Sequence, residues 1–142
     1  MSSLEEVKNF VYGFEKLIVW QKSIELAKII YSITSKFPKN ETYGLSSQIQ
    51  RAVVSISSNI AEGYVKYSPK EQMKFSEIAY GSLMEVLNQT IIAKELDYIS
   101  EADYLIIRQN VEEISRMLNA LRNSQLKKLS LVVQKFRRKF LN

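Results

Sequence analysis

Residues 43–67 read YGLSSQIQRAVVSISSNIAEGYVKY. Leu45, Ile49, Val53, Ile56, Ile60 and Tyr64 recur every three or four positions, which is the period of an α-helix with one apolar face. A second face is small and polar: Ser47, Arg51, Ser55, Ser58, Asn59 and Glu62. Small side chains let two helix backbones approach closely. Arg51 and Glu62 are positioned for ion pairing at such a contact, with each other or with a neighbouring subunit. This stretch predicts a helix over Tyr43–Tyr67 that is packed on more than one side.

The pattern repeats in both directions. Ser68-Pro69-Lys70-Glu71 combines a capping hydroxyl, a proline at the first helical position and a capping-box glutamate. The stripe that follows is Phe75, Ala79, Leu83, Val86, Thr90 and Ala93, widened by Ile78, Leu87 and Ile91, and it runs to Leu96 or Asp97. Upstream, Val19, Leu26, Ile30, Ile33 and Phe37 mark a helix over Ile18–Lys36, ended by Pro38. Trp20, Ile24, Ala27 and Tyr31 broaden its buried face. Downstream, Ser100 with Asp103 starts a fourth helix along Tyr104, Ile107, Val111, Ile114, Leu118 and Leu121. The next apolar residue, Leu126, comes five positions later and breaks the 3.6-residue period. The stripe Leu126, Leu129, Val133, Phe136 and Phe140 therefore predicts a separate amphipathic helix or a bent continuation. Ser3 and Glu6 match a capping box near the N-terminus.

The expected fold is all-α: an antiparallel up-down four-helix bundle joined by short loops. It divides into an N-terminal extension (1–14), the bundle (15–122) and a basic C-terminal amphipathic extension (123–142). Composition agrees. The 142 residues include only 4 Gly and 2 Pro, which disfavours a turn-rich β fold. Residues 1–8 do not form a signal peptide, and no apolar run suffices to span a bilayer, so the expected compartment is the cytoplasm.

The chain contains no His and no Cys, which removes the commonest general base, the commonest metal ligand and thiol chemistry. The four glycines, Gly13, Gly44, Gly63 and Gly81, are scattered and form no phosphate loop. Glu101, Asp103, Glu112 and Glu113 read as capping or solvated carboxylates, and Ser57, Ser58 and Asn59 as helix packing without a general base. Gly63 and Gly81 inside helices point to close helix or subunit contact. The chain is expected to be no enzyme and to need no cofactor or metal.

Charge is unevenly distributed. Residues 1–122 carry 14 Lys+Arg against 15 Asp+Glu. Residues 123–142 hold Lys127, Lys128, Lys135, Arg137, Arg138 and Lys139 and no acid, so they supply the whole excess of +5. These six residues are the expected nucleic-acid-binding site; an anionic membrane surface or an acidic partner offers the same attraction. Phe136 and Phe140 suit base stacking or, better, packing on the bundle or a neighbour.

Leu17-Ile18-Val19-Trp20-Gln21-Lys22, Phe37-Pro38 and Tyr43-Gly44-Leu45 resemble the opening of the bacterial four-helix-bundle proteins encoded by intervening sequences in 23S ribosomal RNA genes. The run from Gln48 to Gly63 is the most specific match, and Phe75 with Ile78–Glu85 resembles the third-helix motif. The resemblance covers about residues 14–122. It implies a homopentamer and kinship with the accessory variability determinant of diversity-generating retroelements, which binds nucleic acid and a reverse transcriptase. Arg51, Ser55, Asn59, Glu62, Gly63, Gly81 and Glu85 are then expected at oligomer or packing contacts. The functional expectation is a non-catalytic, oligomeric, nucleic-acid-binding scaffold, acting as accessory subunit to a retroelement reverse transcriptase and its template RNA. The alternatives are a protein associated with a 23S rRNA intervening sequence, and a protein- or membrane-surface adaptor.

Overall fold

The computed structural model describes residues 2–141. Among them are five α-helices and no strand: α1 (Ser2–Asn9), α2 (Ile18–Thr34), α3 (Leu45–Tyr64), α4 (Pro69–Glu95) and α5 (Glu101–Phe140). The four longer helices pack in chain order, and α5 closes the circuit against α2.

Cross-helix pairs show that each neighbour runs antiparallel to the last. Gln50 Nε2 donates to Thr34 Oγ1 at 3.0 Å between α3 and α2. Ser55 Oγ meets Ser82 Oγ at 2.8 Å between α3 and α4. Lys94 pairs with Glu101 at 3.3 Å at one end of the α4–α5 contact, and Ser76 with Gln125 at 2.9 Å at the other. Lys36, just past the end of α2, reaches Asp103 of α5 at 3.7 Å, and Lys22 of α2 reaches Glu113 of α5 at 3.6 Å. Leu26, Ile30, Ile49, Val53, Ile56, Leu83, Val86, Ile107, Ile114 and Leu118 are fully buried between the helices.

Several helix ends differ from the sequence reading. The α3 helix begins at Leu45, not Tyr43, because Gly44 has no side chain to cap it; the Glu41 carboxylate takes the Leu45 N–H instead, at 2.8 Å. It stops at Tyr64, short of Tyr67, and α2 stops at Thr34. Ser68 caps α4 by accepting the Glu71 N–H at 3.1 Å, so the expected box is made on one side. Ser100 does the same for α5 through Asp103 N–H. Ser3 lies inside α1, which starts at Ser2. Tyr31, expected on the buried face of α2, is exposed.

Of the two expectations for the C-terminal stretch, the continuation holds and the separate helix does not: α5 is one unbroken helix of 40 residues. The apparent phase break after Leu121 is a polar residue at a core position. Gln125 is only 7% exposed, and its Oε1 accepts a hydrogen bond from buried Ser76 of α4. With Gln125 included, Leu118, Leu121, Gln125, Leu129, Val132, Phe136 and Phe140 form a single stripe at spacings of three and four.

Candidate nucleic-acid interface

The α4 helix begins at Pro69, and α5 runs antiparallel past that point. Leu129 is the last residue of α5 that is even half-buried; it shares a hollow of about 630 Å³ with Ser68, Met73 and Lys74. Residues 130–140 project beyond the bundle as bare helix, about 16 Å at 1.5 Å per residue. All six expected cations are exposed: Lys135, Arg137, Arg138 and Lys139 on this projecting end, and Lys127 and Lys128 at its root beside the bundle.

Helical spacing sorts them. At 100° per residue, Lys127, Lys128, Lys135, Arg138 and Lys139 fall within one arc of about 120°. Leu126, Leu129, Val132, Val133, Phe136 and Phe140 occupy a second arc of similar width that adjoins the first, with about 20° between Lys139 and Val132, and exposed Leu131 falls within the basic arc. Arg137 stands apart from the other cations, at the edge of the apolar arc. No acid neutralises this end from within. Lys70 and Lys74 approach its root, but Glu71 and Glu77 line the same hollow, so the field belongs to the projecting helix itself. An array of fixed cations along one helix face suits a phosphate backbone, which presents charge at regular intervals and needs no shaped pocket.

Phe136 and Phe140 do not pack on the bundle. Their ring centroids are 4.7 Å apart, and both side chains are exposed. The Lys139 ammonium sits 5.4 Å from the Phe140 centroid.

The residues expected at packing or oligomer contacts divide into two groups. Ser55, Asn59 and Gly63 work inside the α3–α4 contact. Asn59 Nδ2 donates to the Ser55 carbonyl at 2.8 Å and to its Oγ at 3.0 Å, which holds the hydroxyl that meets Ser82. Gly63 is buried, and a Cβ there would stand 3.0 Å from Phe75 Cβ. Arg51, Glu62, Gly81 and Glu85 are exposed instead. Arg51 and Glu62 do not pair within the chain, because eleven residues of helix separate them by about 16 Å. A Cβ on Gly81 would meet nothing within 4 Å, so no helix of the same chain requires that glycine.

The carboxylates read as solvated do more than that. Asp103, Glu113 and Glu101 join helices through the ion pairs described above, while Glu112 is exposed. Among the described residues, no group of acids is placed to hold a metal ion, and no helix is long and apolar enough to cross a membrane.

The family model described as 23S rRNA-intervening sequence protein matches residues 15–120. The match stops inside α5, before the projecting end. No curated protein matches the chain. Among solved structures, a protein of unknown function from the S23 ribosomal protein family of Bacteroides thetaiotaomicron is similar at 24% identity and a TM-score of 0.69. The alignment covers 74% of this chain and 98% of that one. At this identity the likeness is one of fold.

Proposed function

The chain belongs to the family of 23S rRNA-intervening sequence proteins, and from that premise we propose that it is a non-catalytic scaffold that binds RNA through the basic face of the projecting α5 end. The observation that carries the reading is an exposed helix with five of its six cations gathered on one arc and no acid among them. Binding is electrostatic and shape-tolerant, and the bundle serves to hold the helix in a fixed direction. On this reading the scaffold acts in the cytoplasm.

The homopentamer implied by the resemblance is part of this proposal. Arg51, Glu62, Gly81 and Glu85, left exposed on α3 and α4, are the residues offered to neighbouring copies. Several projecting helices on one assembly then bind through avidity.

The family description favours an RNA carrying the ribosomal insert as the bound species. The accessory role beside a retroelement reverse transcriptase stands on the resemblance alone. Sequencing the RNA that co-purifies with the protein from its host distinguishes them. The control is the full-length variant K127Q/K128Q/K135Q/R137Q/R138Q/K139Q, in which glutamine preserves helix propensity. An enriched insert transcript that the variant loses supports the ribosomal reading; an enriched template repeat supports the retroelement role. No RNA with the native chain overturns the proposal and directs the search to a protein or membrane-surface adaptor.

A further inference from the structure

We infer that a hollow at the root of the projecting α5 end holds one unpaired base of the bound RNA. The inference rests on the RNA-binding reading above and names what that RNA must present. The hollow lies between α3, α4 and α5 and measures about 210 Å³, below the usual size of a pocket for a drug-sized ligand. Leu17, Ile60 and Leu121 give it apolar walls, and Tyr64 stands beside them. The 3-10 turn Gly13–Lys16 backs the Tyr64 ring so closely that a Cβ on Gly13 would run into it.

Gln125 supplies the unmet polar group. Its side chain is only 7% exposed, and Ser76 holds one side of the amide by donating to Oε1. The Nε2 group meets no acceptor among the described residues, yet it is not sealed off from the hollow that Gln125 lines. An unmet N–H at a buried position is costly, so the hollow calls for an acceptor. Oε1 keeps a second lone pair, so the amide presents a donor and an acceptor side by side. Every unpaired base carries a matching pair on its Watson–Crick edge, and in a duplex that edge is already spent. The apolar walls and the Tyr64 ring suit the faces of the same base.

Charge leads an RNA strand to this place. Lys128 lines the hollow and belongs to the basic arc of α5. Traced back along the helix, that arc passes through exposed Ser124, which lines the hollow too. A strand whose phosphates follow the cations is carried past the opening. Among the described residues, no acid lines it. Other occupants fit less well. A partner helix, about 10 Å across, is too wide to enter, and a lipid chain leaves the Gln125 amide unmet.

The test uses the full chain and three synthetic RNA hairpins that differ at one place in the stem. One is fully paired, one carries a single unpaired adenosine, and one carries the same bulge without its base. Fluorescence anisotropy is expected to show the bulged hairpin binding several-fold more tightly than the other two. Two variants are expected to abolish that preference and leave affinity for the paired hairpin unchanged. Ser76→Ala with Gln125→Leu removes the amide and its buried partner together, and Ser124→Trp fills the opening from an exposed position. Equal binding of the three hairpins by the native chain overturns the inference and leaves the RNA-binding reading standing, as does a preference that survives in either variant. Failure to bind any hairpin overturns both. Adenosine monophosphate alone is expected to compete weakly, because it brings one phosphate to the arc. Tight binding of it, without preference among the hairpins, assigns the hollow to a free nucleotide and overturns the inference.

Discussion

Asp97 is the one described non-glycine residue with a positive φ, at 60°. It stops α4. The Tyr98 N–H bonds back to the Ala93 carbonyl at 2.9 Å, and the Asp97 N–H to that of Lys94 at 3.0 Å. This is the Schellman arrangement, which favours glycine at its left-handed position. An L-residue there carries about 1–2 kcal/mol of strain. Glycine avoids that strain but loses about 0.5–1 kcal/mol more backbone entropy on folding. The carboxylate also sits at the negative end of the α4 dipole. Asp97→Gly is therefore expected to stabilise the protein by about 0.5–1 kcal/mol, raising Tm by about 2–4 °C in a scanning calorimeter. An unchanged or lower Tm would show that Asp97 contributes something its contacts do not reveal. The two helical glycines differ in the same local way. Gly63 is required by the Cβ of Phe75, which is fixed to the α4 backbone and cannot swing aside, whereas Gly81 faces open space.

At the scale of elements, α5 shows what was legible and what was not. Helix type and order followed from apolar spacing, and the starts of α4 and α5 from Ser68 and Ser100. The continuity of α5 was hidden because Gln125 counts as polar in any periodicity, and its suitability for the core depends on Ser76, 49 residues away. Leu45 was similarly obscured, since its cap comes from Glu41 across a turn. The basic residues were legible as a group, but their division into five on one arc and Arg137 on another required the phase of a continuous helix. The Ser76–Gln125 bond makes a double-mutant cycle informative. Ser76→Ala alone strands a buried amide oxygen and is expected to cost about 1–3 kcal/mol in urea unfolding. Adding Gln125→Leu is expected to recover most of that loss, because both polar partners are then gone. Simple additivity of the two changes would mean that the bond does not hold α5 in register.

For the whole molecule, the proposed function turns on how many projecting helices would engage one RNA. Six phosphate contacts from a single helix predict a log K against log salt slope of about −4 to −5. A titration of the native assembly with its co-purified RNA is expected to be steeper, in proportion to the helices engaged; a shallower slope would mean that part of the basic arc stays free. The arrangement of the loops has a practical consequence as well. The α1 arm, the α3–α4 turn and the projecting α5 end share one end of the bundle, while Phe37 and Tyr98, 5.5 Å apart, mark the opposite end, where the other turns lie. An affinity tag or fluorescent protein fused to either terminus therefore lands among the exposed surfaces and is liable to mask them. A reporter inserted at Lys39–Glu41 instead rides at the far end, and immobilisation through that turn orients every molecule with its working end toward solution.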